Sequence, residues 1–192
     1  MIRLLAFILV ATPVVADPLF EDRSAGLPDH IYGGGWEHFV GGGVAVFDCN
    51  GDALPDLFAA GGENPAKLMV NQGDFVFADG ALAEITAVTG AYPLDVDADG
   101  ILDLFVLRVG PNRLLMGDGD CAFTASDDLP LDDAWSTAFT AWWENDGKPV
   151  MAVGNYVDRA NPDGPFGACD DNAILRASTG GYQSTPLTPG FC

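Results

Sequence analysis

An all-β fold assembled from repeated four-stranded units is predicted for this 192-residue chain by three observations. An aspartate-rich segment recurs at a fixed interval. Apolar runs are four to six residues long, rich in Val, Phe and Leu, and separated by Gly, Asp, Asn and Pro. No stretch sustains a helical period for three turns, and 24 glycines with 13 prolines work against one.

The repeat carries the most information. Setting "VAVFDCNGDALPDLFAAGG" (44–62) beside "YPLDVDADGILDLFVLRVG" (92–110) aligns Asp48 with Asp95, Asn50 with Asp97, Asp52 with Asp99 and Asp56 with Asp103, each 47 residues apart. Downstream, "KLMVNQGDFVF" (67–77) matches "RLLMGDGDCAF" (113–123) at an offset of 46. A weaker third copy begins at "TAWWENDGKPVMAVGNY" (140–156): Gly147 follows Gly100 by 47, Glu144 and Asp146 keep the middle acidic positions, and Trp142 and Val150 replace the first and last. After an insertion, "RANPDGPFGACDD" (159–171), the module resumes with "NAILRASTGGYQS". The third unit therefore reads as one whose acidic loop has decayed.

Strands are expected at 42–47, 56–60, 67–71 and 75–78 in the first module, and near 91–94, 103–108, 113–116 and 122–124 in the second. Four short antiparallel strands per unit of 40 to 50 residues is the pattern of a β-propeller blade. A sandwich is the alternative, but it does not call for a repeated acidic loop.

Each acidic loop must explain its own charge. Two carboxylates about 4 Å apart repel by about 4 kcal/mol at an effective dielectric of 20, so the loop calls for a cation. Counting Asp95 as position 1, side-chain oxygens stand at positions 1, 3, 5 and 9, Gly100 takes the bend at 6, and the Ile101 carbonyl is available at 7. The first loop offers Asp48, Asn50, Asp52, the Leu54 carbonyl and Asp56. Hard oxygen donors without sulfur or imidazole select Ca²⁺, with Mg²⁺ second. An EF-hand is excluded, because Ala59 and Val106 stand where its bidentate Glu belongs and the flanks are strand-like. The first loop should bind more weakly, with Asn50 in place of Asp97 and Ala53 in place of Gly100.

The opening "MIRLLAFILVATPVVA" has Arg3, an apolar run and a small-residue exit at Ala16, the order of a secretory signal peptide. An exported, periplasmic or extracellular protein follows, and with it disulfides. Cys169 and Cys192 share one Gly/Pro-rich segment and are the favoured pair, which leaves Cys49 with Cys121; two other pairings and free buried thiols are the alternatives. Isolated His30 and His38, and the lack of C-x-x-C, argue against zinc. With 23 Asp, 5 Glu and a net charge of −20, nucleic acid and anionic membranes are disfavoured partners.

On the strings "GGGVAVFDCNGDALPDLF" and "YPLDVDADGILDLFVL", each followed by a Leu-rich strand and a Gly-Asp turn ending in Phe, the chain resembles the FG-GAP or VCBS repeat of integrin α-chain propellers and secreted bacterial proteins. "GNYVDRANPDGPFGACDDN" and "PLTPGFC" resemble, more narrowly, bacterial relatives of cartilage acidic protein, the ASPIC/UnbV family. The resemblance implies a seven-bladed calcium-binding propeller, with the eight acidic-loop side chains above as ligands.

The expected division is a leader at 1–16, an N-terminal arm at 17–35, blade 1 at 36–84, blade 2 at 85–132 and a degenerate blade 3 at 133–192. Three blades cannot close a ring, so remaining blades or a partner chain are expected to complete it. The function expected is a non-enzymatic, exported, calcium-stabilised module for protein or glycan interaction or adhesion. The alternative is the propeller portion of a metal-dependent hydrolase or another enzyme. No G-x-S-x-G or H-E-x-x-H occurs and neither acidic loop contains a histidine to act as base, so no catalytic residue is nominated. Trp142 and Trp143 are considered for stacking on a sugar, although neighbours in a strand face opposite ways.

Overall fold

A computed structural model describes residues 19–39, 41–144, 147–161 and 168–187. The expected leader, Asp146 of the third loop and Cys192 lie outside these residues.

The described chain is all-β, with only two 3₁₀ turns, Ser24–Gly26 and Trp36–His38. Three antiparallel four-stranded sheets follow one another in sequence. Sheet 1 contains β1 (Val44–Phe47), β2 (Asp56–Ala59), β3 (Lys67–Asn71) and β4 (Phe77–Asp79). Sheet 2 contains β5 (Val88–Leu94), β6 (Asp103–Arg108), β7 (Arg113–Gly117) and β8 (Phe123–Ser126). Sheet 3 contains β9 (Ser136–Trp142), β10 (Val150–Asn155), β11 (Asn172–Ser178) and β12 (Gly181–Leu187). Every strand pairs with its sequence neighbour, as expected for blades, and no sheet closes on itself. The repeat is kept in register: Phe47 faces Asp56 in sheet 1 as Leu94 faces Asp103 in sheet 2, and Trp142 faces Val150 in sheet 3.

Alternation along the strands feeds two cores. Ala45, Phe47, Phe58 and Leu68 on one face of sheet 1 pack against Leu104, Val106 and Leu115 of sheet 2. The other face of sheet 2, with Leu94, Phe105, Leu107 and Leu114, packs against Met151, Val153 and Leu175 of sheet 3. Sheet 2 is thus covered on both sides. The outer face of sheet 1 is covered by no other sheet: Arg23, Ser24 and Leu27 of the arm flank it, while Val44 and Val46 stay 60% and 59% exposed and Phe75 in the β3–β4 turn 65% exposed. One repeat later Ala91, the counterpart of Val44, packs against the covered core, and Cys121, the counterpart of Phe75, belongs to it.

Cys49 and Cys121 are disulfide-bonded, joining the β1–β2 loop of sheet 1 to the β7–β8 turn of sheet 2. This is the pairing reached by elimination. Cys169 is also disulfide-bonded.

Strand direction sorts the loops into two ends. The β1–β2 and β5–β6 acidic loops share one end with the β3–β4 and β7–β8 turns. The β2–β3 and β10–β11 connections and the sheet-to-sheet crossings lie at the other, where the later part of the segment before β1 joins them through the Gly33–Gly62 bridge; its earlier part, around Gly26, lies against Phe75 of the β3–β4 turn.

Candidate metal centres

Both acidic loops fold by the same local rule: each carboxylate accepts amides from the residues that follow it, an Asx-turn cascade. In the second loop Asp95 Oδ1 accepts from Ala98 and Asp99 N–H at 2.7 and 3.2 Å, and Oδ2 accepts from Gly100 N–H at 3.0 Å. Asp97 Oδ1 accepts from Asp99 N–H at 3.3 Å, and Asp99 Oδ1 from Ile101 N–H at 2.8 Å. The chain is wound tightly enough that ligand oxygens of Asp95, Asp97 and Asp99 come within 4.8 Å of one another. Two oxygens on one Ca²⁺ can stand at most about 4.6–5.2 Å apart, twice the metal–oxygen distance, so these three fit around a single ion.

The first loop repeats the winding. Asp48 accepts from Asn50, Gly51 and Ala53 N–H, and Asp52 Oδ1 accepts from Leu54 N–H at 2.8 Å. Amide donation, led by Ala53, holds the Asp48 carboxyl below the ordinary aspartate value. The difference lies at Asn50, whose Nδ2 donates to Asp52 Oδ2 at 3.0 Å while its Oδ1 accepts from Asp52 N–H. A neutral amide donor therefore occupies Asp52, whereas the second loop sets three carboxylates side by side.

The position-9 carboxylates are placed differently. Asp56 and Asp103 are 0% and 1% exposed. Asp103 Oδ2 accepts from Val96 N–H and Oδ1 from Gly117 N–H, both at 2.9 Å. Asp56 makes the same pair of bonds to Cys49 and Asn71 N–H. Each thus staples the start of its acidic loop to the end of the third strand of its sheet. Burial pushes the Asp103 carboxyl up, and the charges of Asp97 and Asp99 add to the shift. Asp103 consequently lies close enough to feel the loop; each of its oxygens accepts one amide and keeps a further lone pair, but it stands outside the group of Asp95, Asp97 and Asp99 oxygens gathered within 4.8 Å.

Asp56 Oδ2 also lies 3.0 Å from Cys49 Sγ and 3.6 Å from Cys121 Sγ. With the sulfurs bonded to each other no thiol proton exists, so these are packing contacts, and the Cys49, Asp56 and Cys121 cluster offers no thiolate to a metal.

Backbone conformation revises the comparison of the two loops. The second loop has Ala98 at φ 64° and Gly100 at φ 87°, whereas the first has Gly51 at φ 74° and Ala53 at φ 67°. Each loop needs two left-handed residues and each places one alanine there. The strain assigned to Ala53 is thus matched by Ala98, which leaves Asn50 against Asp97 as the difference between the two sets of candidate ligands. In the third unit Glu144 is held by Arg176 at 2.7 Å and by Trp142 Nε1 at 3.2 Å, and Val150 stands where the stapling aspartate would be.

Residues 48–106 match the family model of the FG-GAP-like repeat, a span running from Asp48 in the first loop to Val106 in β6 and including both acidic loops. The segments that resemble the cartilage acidic protein relatives fall outside it. No curated protein matches the chain.

Proposed function

We propose that this chain is an exported, calcium-stabilised propeller module that serves in protein or glycan interaction and performs no catalysis itself. The observation that carries the reading is the convergence of Asp95, Asp97 and Asp99 on one ion-sized space; the first loop repeats the winding with Asn50 in place of Asp97. The FG-GAP-like repeat suggests a β-propeller-type interaction module. The Cys49–Cys121 disulfide fits an exported protein, and among the described residues no helix is long and apolar enough to cross a membrane.

Ca²⁺ would be held by Asp95, Asp97, Asp99 and the Ile101 carbonyl, and less tightly by Asp48, Asn50, Asp52 and the Leu54 carbonyl, with Asp56 and Asp103 fixing the frame. Bound there, it would neutralise the loop charge and stiffen one end of each blade. The open outer face of sheet 1 supports completion of the ring by further blades or a partner chain, since the same face of sheet 2 is a buried interface. Both described histidines precede β1, and His30 Nε2 is engaged with the Ala60 carbonyl at 2.8 Å.

Calorimetric titration and thermal melting test the reading. At free calcium about tenfold above the dissociation constant each loop adds about 1.4 kcal/mol, so two loops raise the melting temperature of a chain this size by about 6–10 °C. Asp97→Asn should lower affinity at the second loop to that of the first. An unchanged melting temperature with EGTA would refute the assignment.

A further inference from the structure

At the end opposite the acidic loops lies a cleft of about 290 Å³. Four segments build it: Trp36 and Glu37 from the arm, Glu63 from the β2–β3 connection, Trp135 from the crossing into sheet 3, and Asp158 and Arg159 from the β10–β11 connection. Neither tryptophan lies in a strand, and sequence reasoning nominated Trp142 and Trp143 instead.

Trp36 is the prominent feature. Its ring is stacked on Phe39 at 4.7 Å with 5° between planes and meets Trp135 edge to face at 6.0 Å, yet it remains 52% exposed. A large apolar ring held rigid by two aromatic neighbours while half in water is a platform for a flat partner. Behind it Trp135 is 1% exposed, with Tyr156 at 5.0 Å, and its Nε1 has no acceptor among the described residues.

Polar groups of both kinds surround the platform. Arg159 is fixed by Glu37 and Asp133 and brings a guanidinium into the cleft. Glu63 uses Oε1 for Gly35 N–H, and Asp158 uses Oδ1 for Ala160 N–H, leaving each with acceptor capacity. The surroundings are otherwise acidic; burial, with the charges of Asp158, Asp171 and Asp133, pushes the neighbouring Asp170 carboxyl up. A bare cation would meet Arg159, and an anion would meet the carboxylates. A polyhydroxyl ligand both donates and accepts and presents an apolar ring face. The volume lies just below the usual range of about 300–1,000 Å³ for ligand sites, enough for one ring.

We propose that this cleft binds one pyranose ring of a neutral or amino-bearing glycan, stacked on Trp36 and hydrogen-bonded by Glu63, Asp158 and Arg159. The proposal rests on the interaction-module reading and supplies its ligand class.

Isothermal titration of the full chain with chitin, chitosan and galacturonate tetrasaccharides, and with tetra-arginine as a basic peptide, tests it. The neutral or amino tetrasaccharide is expected to bind, and Trp36→Ala to weaken it by at least about tenfold in a chain that still unfolds cooperatively. Asp158→Asn, which keeps an acceptor for Ala160, guards against loss of local structure and should weaken binding about fivefold. No saccharide binding up to about 10 mM, preference for galacturonate or tetra-arginine, or indifference to both variants would overturn the proposal. Repeating the titration in EGTA separates it from the calcium reading. Saccharide binding without a calcium-dependent melting shift sinks only the metal assignment, and the reverse sinks only the cleft.

Discussion

Asp103→Asn tests whether the position-9 carboxylate is part of the frame or only a metal ligand. Asp103 is 1% exposed and takes Val96 and Gly117 N–H on separate oxygens. An asparagine can satisfy one of these amides but turns an NH₂ toward the other. The variant therefore loses one charge-assisted hydrogen bond, about 1.5–3 kcal/mol, and leaves a buried N–H unsatisfied, about 1–3 kcal/mol. Removing a charge that burial disfavours returns part of this, so a net loss of about 2–4 kcal/mol is expected. That is a large fraction of the 5–15 kcal/mol typical of a domain. The assay is urea unfolding followed by tryptophan fluorescence in EGTA, with exposed Asp97→Asn as the comparison, expected within about 0.5 kcal/mol of the parent. A calcium-free Asp103→Asn protein as stable as its parent would refute the staple.

Three further outcomes follow from the geometry. Replacing Cys49 and Cys121 together by alanine frees a loop of sequence separation 72, for which chain entropy gives a loss of about 4.4 kcal/mol, read as a lower urea midpoint; a loss under about 1 kcal/mol would show that packing alone holds sheets 1 and 2 in register. Ala53→Gly and Ala98→Gly each relieve a left-handed alanine and should stabilise by about 0.5–1 kcal/mol after the added freedom of the unfolded chain; thermal melts showing a loss would contradict the strain argument. Amide-bonded Asp48 and Asp118 have carboxyls lowered in the fold, so their contribution is present above the ordinary aspartate value of 3.8 and is lost as pH falls through their lower folded values. Raised Asp103 acts in the opposite sense, its contribution being present below 3.8 and lost as pH rises through its folded value, so Asp48→Asn should flatten the acid decline in urea midpoint and Asp103→Asn should not.

The blades were legible because the repeat compares the sequence with itself. Strand β6 falls where the spacing put it, at Asp103–Arg108, and β3 at Lys67–Asn71. What could not be read were features set by the third dimension. Asp56 and Asp103 look like their neighbours in the aspartate ladder, but they begin strands, and entering a strand turns them inward toward amides contributed 14 or 15 residues later. The second left-handed residue of each loop was hidden because glycine marks it in one copy and alanine in the other. Trp36 follows three glycines and Trp135 an alanine, so nothing local announced that the two would meet.

Strand β6 has a consequence for how the chain loses its structure. Leu104 and Val106 belong to one core while Phe105 and Leu107 belong to the other, and all four are no more than 1% exposed. Sheets 1 and 3 each touch one core; β6 belongs to both. Stability in such an array is a sum over nearest neighbours, so the terminal sheets can fray independently while the middle strand waits for both. The last amides to exchange with deuterated water should be those of β6, and a lesion there should uncouple the two ends at once.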